Sequence, residues 1–320
     1  MKGYIMQTSS ITKINRAPLS ARFGKYIRRD YQIFLMLLPS LLLVFIFSYI
    51  PMYGVMIAFK DFHFKEGILG SPWVGLKHFI RFLEMPQFWT ILKNTLLISA
   101  YSLAAGFPMP ILLAIILNEC VYPKFKRVVQ LVSYAPHFIS TVVICGMIFL
   151  FLNQSHGIIN NLLAMLGLGR TNFMADAGWF STVYVFSGIW QDVGFASIIY
   201  LAALSGVDVE LVEASVIDGA NRLQKIWHVD LPTISPTLII LLIFSLGSLL
   251  SVGFEKILLL QTAPNMDASD VIATYVYRVG LKQGQYSYTT AIGLFNSVVN
   301  IILLAIFNYA AKAVTRTSLW

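Results

Sequence analysis

The chain has 320 residues, 57% of them hydrophobic and only 12% charged, with a formal net charge of +8 and a mean hydropathy of +0.72. The charged share is about half that of an ordinary soluble domain, which excludes water as the main solvent and leaves a polytopic α-helical membrane protein. A bilayer crossing needs about 20 consecutive apolar residues. Runs of that order recur at roughly Ile33–Phe59, Ile91–Leu117, Val129–Leu152, Ser181–Leu204, Thr237–Gln261 and Tyr288–Ala311, predicting a bundle of six transmembrane helices.

The first run lies too deep in the chain, and is too long, for a cleaved signal peptide, so it reads as a permanent anchor. Before it comes a basic arm over 1–30, carrying Lys2, Lys13, Arg16, Arg22, Lys25, Arg28 and Arg29 against Asp30. Its position just ahead of a span favours a cytoplasmic location by the positive-inside rule over a nucleic-acid arm. Six crossings return the C-terminus, with Lys312 and Arg316, to the cytoplasm. The second and fourth connections then also face the cytoplasm, with Lys124, Lys126 and Arg127, then Arg222 and Lys225. External connections hold Lys60, Lys65, Lys77, Arg81, Arg170, Arg278 and Lys282, so the arm carries most of the bias.

Cys120 and Cys145 fall near a cytoplasmic end and inside a span, which suits packing and not a disulfide framework. His63, His78, His137, His156 and His228 are scattered and read as loop or interface residues. Neither metal-ligand spacing, nor a phosphate loop, nor a nucleophile triad occurs in a credible context, so no catalytic residue, cofactor or metal is expected on this chain. One membrane domain over 31–320 follows the arm, and any catalytic engine must be another chain. No internal repeat is evident, which weighs against inverted-repeat secondary transporters.

The most informative segment is the connection over 205–236, SGVDVELVEASVIDGANRLQKIWHVDLPTISP. Asp208 is placed as an N-cap, Val209, Leu211, Val212, Val216 and Ile217 are apolar at helical spacing, and Gly219 is placed as the stop. A second helix can start near Asn221 and present Leu223, Ile226 and Trp227. Such a knob at the membrane surface must bury its apolar side, and a groove in a partner protein is the natural candidate.

Glu213-Ala214-Ser215, three residues, Gly219, nine residues, then Val229-Asp230-Leu231-Pro232 resembles the EAA coupling loop of binding-protein-dependent ABC importers. That pattern reads Glu-Ala-Ala, three residues, Gly, nine residues, Ile, any residue, Leu-Pro. The departures are Ser215 for Ala and Val229 for Ile, both shape-conserving. Asp218-Gly219-Ala220 and Pro236 resemble the sugar-permease branch. Trp73 to Phe79, Phe88-Trp89, Asn94-Thr95-Leu96 and Pro136 to Ser140 resemble carbohydrate-uptake permeases. Leu37 to Ser40 and Tyr49 to Gly54 resemble those that take up polysaccharide fragments.

The resemblance implies a six-helix permease of the type I ABC importer kind, in the bacterial cytoplasmic membrane with both termini inside. It also implies a second permease subunit, two ATP-binding-cassette ATPase subunits holding ATP and Mg, an extracellular solute-binding lipoprotein and an oligosaccharide substrate. The coupling loop would use Glu213, Ala214, Ser215, Asp218, Gly219, Leu231 and Pro232. A substrate path is expected on the flanking spans. Trp190, Gln191, Asp192 and Phe195 combine hydrogen-bonding groups with aromatic faces, as a sugar requires. Ser245, Ser248, Ser251 and Glu255 are spaced for one helical stripe, although serines on a span can simply join helices. The rival class, a self-contained secondary transporter or channel driven by an ion gradient, needs several ionisable groups within its spans. Only Asp192, with Glu255 and Lys256 near a span end, qualifies.

Overall fold

The computed structural model describes residues 29–315, so the basic arm up to Arg28, and Arg316, lie outside the described residues. Two compact units divide the chain, Met1–Met56 and Ile57–Trp320. Helix α1, Tyr31–Phe59, begins in the first unit, and no side chain from Tyr31 to Val44 is buried. A helix apolar all round suits a lipid environment or another subunit. Its ladder widens to a π turn over Phe45–Tyr49, just before Pro51. A proline ring clashes with the carbonyl four residues earlier and lacks an N–H, so the wider turn accommodates it.

In the second unit α2 is Phe88–Glu119, and α3, Pro123–Phe138, meets α4, Thr141–Phe151, at 103°. Then come α5, Ala177–Leu204, α6, Val209–Ile217, α7, Arg222–Gly247, α8, Phe254–Leu260, and α9, Tyr286–Thr315. Five of these helices, α1, α2, α5, α7 and α9, are long and apolar enough to cross a membrane, and the α3–α4 pair makes a sixth if it acts as one broken span.

Two predicted spans are corrected. The third run is bent and not straight: after Pro136 the backbone extends at Ile139 and Ser140, and Ser140 caps α4 by accepting from the Val143 N–H at 3.4 Å. The fifth run is shifted: α7 starts within the loop, at Arg222, and stops at Gly247, so the residues from Ser248 onward leave the helix. Hydropathy alone could not see this stop, because Leu249, Leu250, Val252 and Phe254 continue the apolar character past it. Tertiary partners take over the freed backbone. Asn300 on α9 accepts from the Leu250 N–H at 3.2 Å and donates to Ser251 Oγ at 3.1 Å, while the Tyr184 hydroxyl accepts from the Gly253 N–H at 3.2 Å.

The segment after α8 is held in the same way. Asn94 on α2 donates to the Asp267 and Asp270 carbonyls at 2.8 and 3.1 Å, and Thr95 Oγ1 accepts from the Ile272 N–H at 3.1 Å. Before α2, buried Lys60 donates to the Ile68 and Leu69 carbonyls, both at 2.9 Å, and Lys77 donates to Asp61 at 3.0 Å. That hydrogen bond holds the Asp61 carboxyl below its ordinary pKa.

Among the described residues, three buried clusters form the core. Ile98, Ile144, Ile148, Phe180 and Ile257 join α2, α4, α5 and α8, with Cys145 packed as a free thiol among them. Phe82, Ile91, Val279 and Ile292 form a second, and Ala114, Tyr200, Leu204 and Ile234 form a third where α2, α5 and α7 meet. Inside a bilayer, helix association depends on close packing more than on the hydrophobic effect. Gly194 marks the closest approach: a Cβ there would stand 2.1 Å from the Ser133 carbonyl oxygen on α3. Gly194→Ala is therefore expected to destabilise the detergent-purified protein by about 1–3 kcal/mol or more through overpacking. Gly146→Ala, with nothing within 4 Å of its added methyl, should hold or raise the melting temperature in the same scan.

Candidate functional site

The loop over 205–236 folds as its residues dictate. Asp208 caps α6 by accepting from the Glu210 N–H at 2.9 Å. At the other end Gly219 takes φ +80°, the left-handed conformation that favours glycine. The Ala220 N–H donates to the Ser215 carbonyl at 2.9 Å and the Gly219 N–H to Val216 at 3.0 Å, a Schellman closure. Asn221 and Gln224 then form a reciprocal capping box at 3.0 and 2.8 Å, which launches α7 without a gap. A second π turn, Ile226–Asp230, precedes Pro232. Val209, Leu211, Val216, Ile217, Leu223 and Trp227 are all exposed, so the knob presents an apolar surface. Glu213, Ala214 and Asp218 are exposed beside it.

Away from the loop, a cavity of about 870 Å³ opens between α2, the α3–α4 break, α5 and the start of α8. Gln191, Asp192 and Glu255 line it, with His137, Ser140 and Tyr184. A second hollow of about 390 Å³ is lined by Ser245, Ser248 and Ser251. The two share walls at Ser102, Gly106, Pro110, Tyr184, Ala196 and Gly253, which makes them parts of one opening.

The expected path residues thus divide. Ser245, Ser248, Ser251 and Glu255 do border the shared opening, but not as one helical stripe, because α7 ends at Gly247 and Glu255 belongs to α8. Ser245 and Ser248 return their hydroxyls to the Leu241 and Phe244 carbonyls of their own helix, at 2.9 and 3.2 Å. Asp192 and Gln191 grip the α3–α4 break: Asp192 lies 2.9 Å from His137 Nδ1, and Gln191 donates to the Ile139 carbonyl at 3.4 Å. Phe195 stacks on the His137 ring at 4.0 Å between centroids, so its contact with the cavity runs through that histidine. Trp190 lines a separate apolar hollow with Val128, Val132 and Pro136.

Sequence reasoning missed several participants. His137 reads from sequence as a loop or interface residue, and its partner Asp192, 55 residues away, leaves no local signal. Ser99 and Ser102 have buried hydroxyls without hydrogen-bond partners among the described residues, beside the shared opening. Lys225, read only as a marker of cytoplasmic charge, bonds to Glu119 at the end of α2 and lies 3.5 Å from Asp230, which is 3% exposed. This carboxylate–ammonium–carboxylate cluster ties the loop end of α7 to α2.

Breaks held by side chains, a polar-lined opening and an exposed knob joining two of the helices that border it suit a membrane permease. Comparison with known proteins specifies which kind. Residues 106–316 match the family described as binding-protein-dependent transport system inner membrane component. The chain belongs to this family of ABC importer permeases, which sets aside the self-contained transporter driven by an ion gradient. It is 45% identical over 288 residues to the polygalacturonan/rhamnogalacturonan transport system permease protein YteP of Bacillus subtilis (strain 168), covering 90% of this chain and 89% of that one. Protein LplB of the same organism is 42% identical over 294 residues, 92% of each chain. A crystal structure of a bacterial ABC transporter involved in the import of the acidic polysaccharide alginate contains a chain 41% identical, with a TM-score of 0.84, covering 92% of this chain and 99% of that one.

The Glu119–Lys225–Asp230 cluster yields a test of how the loop is attached. Removing Lys225, itself half-buried, leaves the buried Asp230 carboxylate uncompensated, so Lys225→Met is expected to cost about 2 kcal/mol. Adding Glu119→Gln and Asp230→Asn to Lys225→Met should recover most of that loss, measured by thermal unfolding of the purified protein.

Proposed function

We propose that this chain carries an oligosaccharide inward across the bacterial cytoplasmic membrane, pairing with a second permease subunit to form the path. An extracellular solute-binding lipoprotein delivers the sugar, and two ATPase subunits, holding ATP and Mg, supply the energy. The observation that carries this reading is the shared mounting of loop and opening. α5 lines the cavity at Asp192 and ends at Leu204 just before the loop, about 18 Å further along at 1.5 Å per residue. α7 starts in the loop and ends at Ser245 to Gly247 beside the second hollow. A displacement of the knob is therefore transmitted to both walls by continuous helices. The names of the relatives support a sugar as cargo, and the aromatic and hydrogen-bonding lining is chemically suited to one.

In the proposed mechanism the exposed apolar knob seats in a groove of an ATPase subunit, and Glu213 meets a basic group there. ATP-driven closure of the ATPase pair moves α6 and the base of α7 as a rigid body. Gly219 keeps the two helices at a fixed angle, and Leu231-Pro232 with the π turn sets where α7 leaves the knob. The spans then switch between inward-open and outward-open states. Serine hydroxyls, Gln191 and Asp192 exchange hydrogen bonds with sugar hydroxyls along the path. Trp190 and Phe195 act at one remove, through the neighbouring hollow and through His137. Both termini lie in the cytoplasm, where the basic arm belongs.

Gly219→Pro cannot adopt φ +80°, and Glu213→Lys reverses a charge at the knob. Both variants should insert normally, yet lose substrate-stimulated ATP hydrolysis or shed the ATPase on purification. Stimulation retained in both would refute the coupling assignment. Asp192→Ala should lower uptake about tenfold by removing a charge-assisted hydrogen bond. Single cysteines at Gly67 or Asn161 should label from outside intact cells and one at Asn221 should not. External labelling at Asn221 would overturn the orientation.

A further inference from the structure

Lys256, at the start of α8, is only 8% exposed, lines the larger cavity, and its Nζ has no hydrogen-bond partner among the described residues. It lies where a Cβ on Gly188 would stand 3.5 Å from Nζ, and 5.6 Å from the centre of the Tyr184 ring. A cation over an aromatic face recovers only part of the hydration that a buried ammonium gives up, so the group is left short of an anion. The carboxylates that face it do not close the gap. Asp192, from α5, turns Oδ1 to His137 and forms no ion pair with Lys256, and Glu255, the neighbour of Lys256 on α8, is exposed and forms no ion pair among the described residues.

We propose that Lys256 reads the charge of the transported sugar, receiving the carboxylate of a uronate-type residue as it passes through the cavity; this rests on the oligosaccharide import proposed above. The arrangement along α5 fits one such residue. Tyr184, Gly188 and Asp192 follow at four-residue spacing on one face, with Lys256 Nζ beside the first two. Cationic and acceptor positions are therefore about one turn apart, roughly 5.4 Å along the helix. A hexuronate presents its carboxylate at one edge of the ring and hydroxyls at the opposite edge, so the carboxylate meets Lys256 while the hydroxyls donate to Asp192. Gly188 leaves the seat open, since it has no side chain to stand between the ammonium and the cavity. No hydrogen bond must break for the lysine to swing toward a ligand. A neutral sugar would leave the ammonium without an anion.

The test uses the complete transporter, with its binding protein and ATPase, in proteoliposomes. Uptake of trigalacturonate is compared with that of its carboxyl-reduced, neutral counterpart, and binding-protein affinities are measured separately to remove their share of the selectivity. Wild type should favour the acid. Lys256→Gln should lower the acid-to-neutral uptake ratio about tenfold, the worth of one charge-assisted hydrogen bond, and Lys256→Arg should restore most of it. Because the mutation removes an unpaired buried charge, the melting temperature of Lys256→Gln should equal or exceed that of wild type. An unchanged ratio in Lys256→Gln, or equal loss of both sugars with a lowered melting temperature, would overturn the proposal. Wild-type uptake of the neutral sugar alone would overturn it and leave oligosaccharide import standing. Uptake of neither sugar would count against the import reading itself.

Discussion

A backbone inside a bilayer has no water to hydrogen-bond, so every interruption of a span must be supplied with partners from elsewhere in the protein. The structure depends on how this constraint is met. At the α3–α4 break, Ser140 caps the new helix and Gln191 donates to Ile139. Beyond α7, Asn300 and Tyr184 take up the Leu250 and Gly253 N–H groups. Asn94 and Thr95 do the same for the chain around Asp270. Irregular backbone at membrane depth is tolerated where it is buried in protein or lines a water-filled cavity, and two of these breaks border the shared opening. Residues of both interruptions, Ile139 and Ser140 at the first and Ser251 and Gly253 at the second, are among the lining of the opening.

The loop obeys different physics. It is exposed, and local capping holds its shape: Asp208, the Schellman closure at Gly219 and the Asn221–Gln224 box each satisfy backbone groups at a helix end. Its two helices run on into α5 and α7 through short or gapless connections, so rigidity passes from knob to span. Where stiffness within one helix is not enough, the Lys225 cluster adds a lateral tie to α2.

Features whose cause lies within a few residues are legible in the sequence. The N-cap at Asp208, the stop at Gly219 and the restart at Asn221 sit where their residue types place them. Hydropathy located α1, α2, α5 and α9 to within a few residues, since each is a long apolar run without a tertiary interruption. The serine stripe failed for a stated reason: helical spacing was extrapolated across Gly247, where α9 and Tyr184 offered the backbone better partners than its own ladder. Trp190 and Asp192 stand two residues apart, so on a helix they point about 200° apart, to nearly opposite faces, and line different hollows.

Composition and local patterning alone determined that this is a helical membrane protein with a two-helix knob between its fourth and fifth apolar runs, because solvent preference and end-capping are written in short stretches of chain. Only the tertiary structure decided where the spans break, that His137 meets Asp192 across 55 residues, and that Lys256 is buried without an anion. Those outcomes depend on which distant side chain reaches a freed backbone group or a charge first, and that competition is settled by packing.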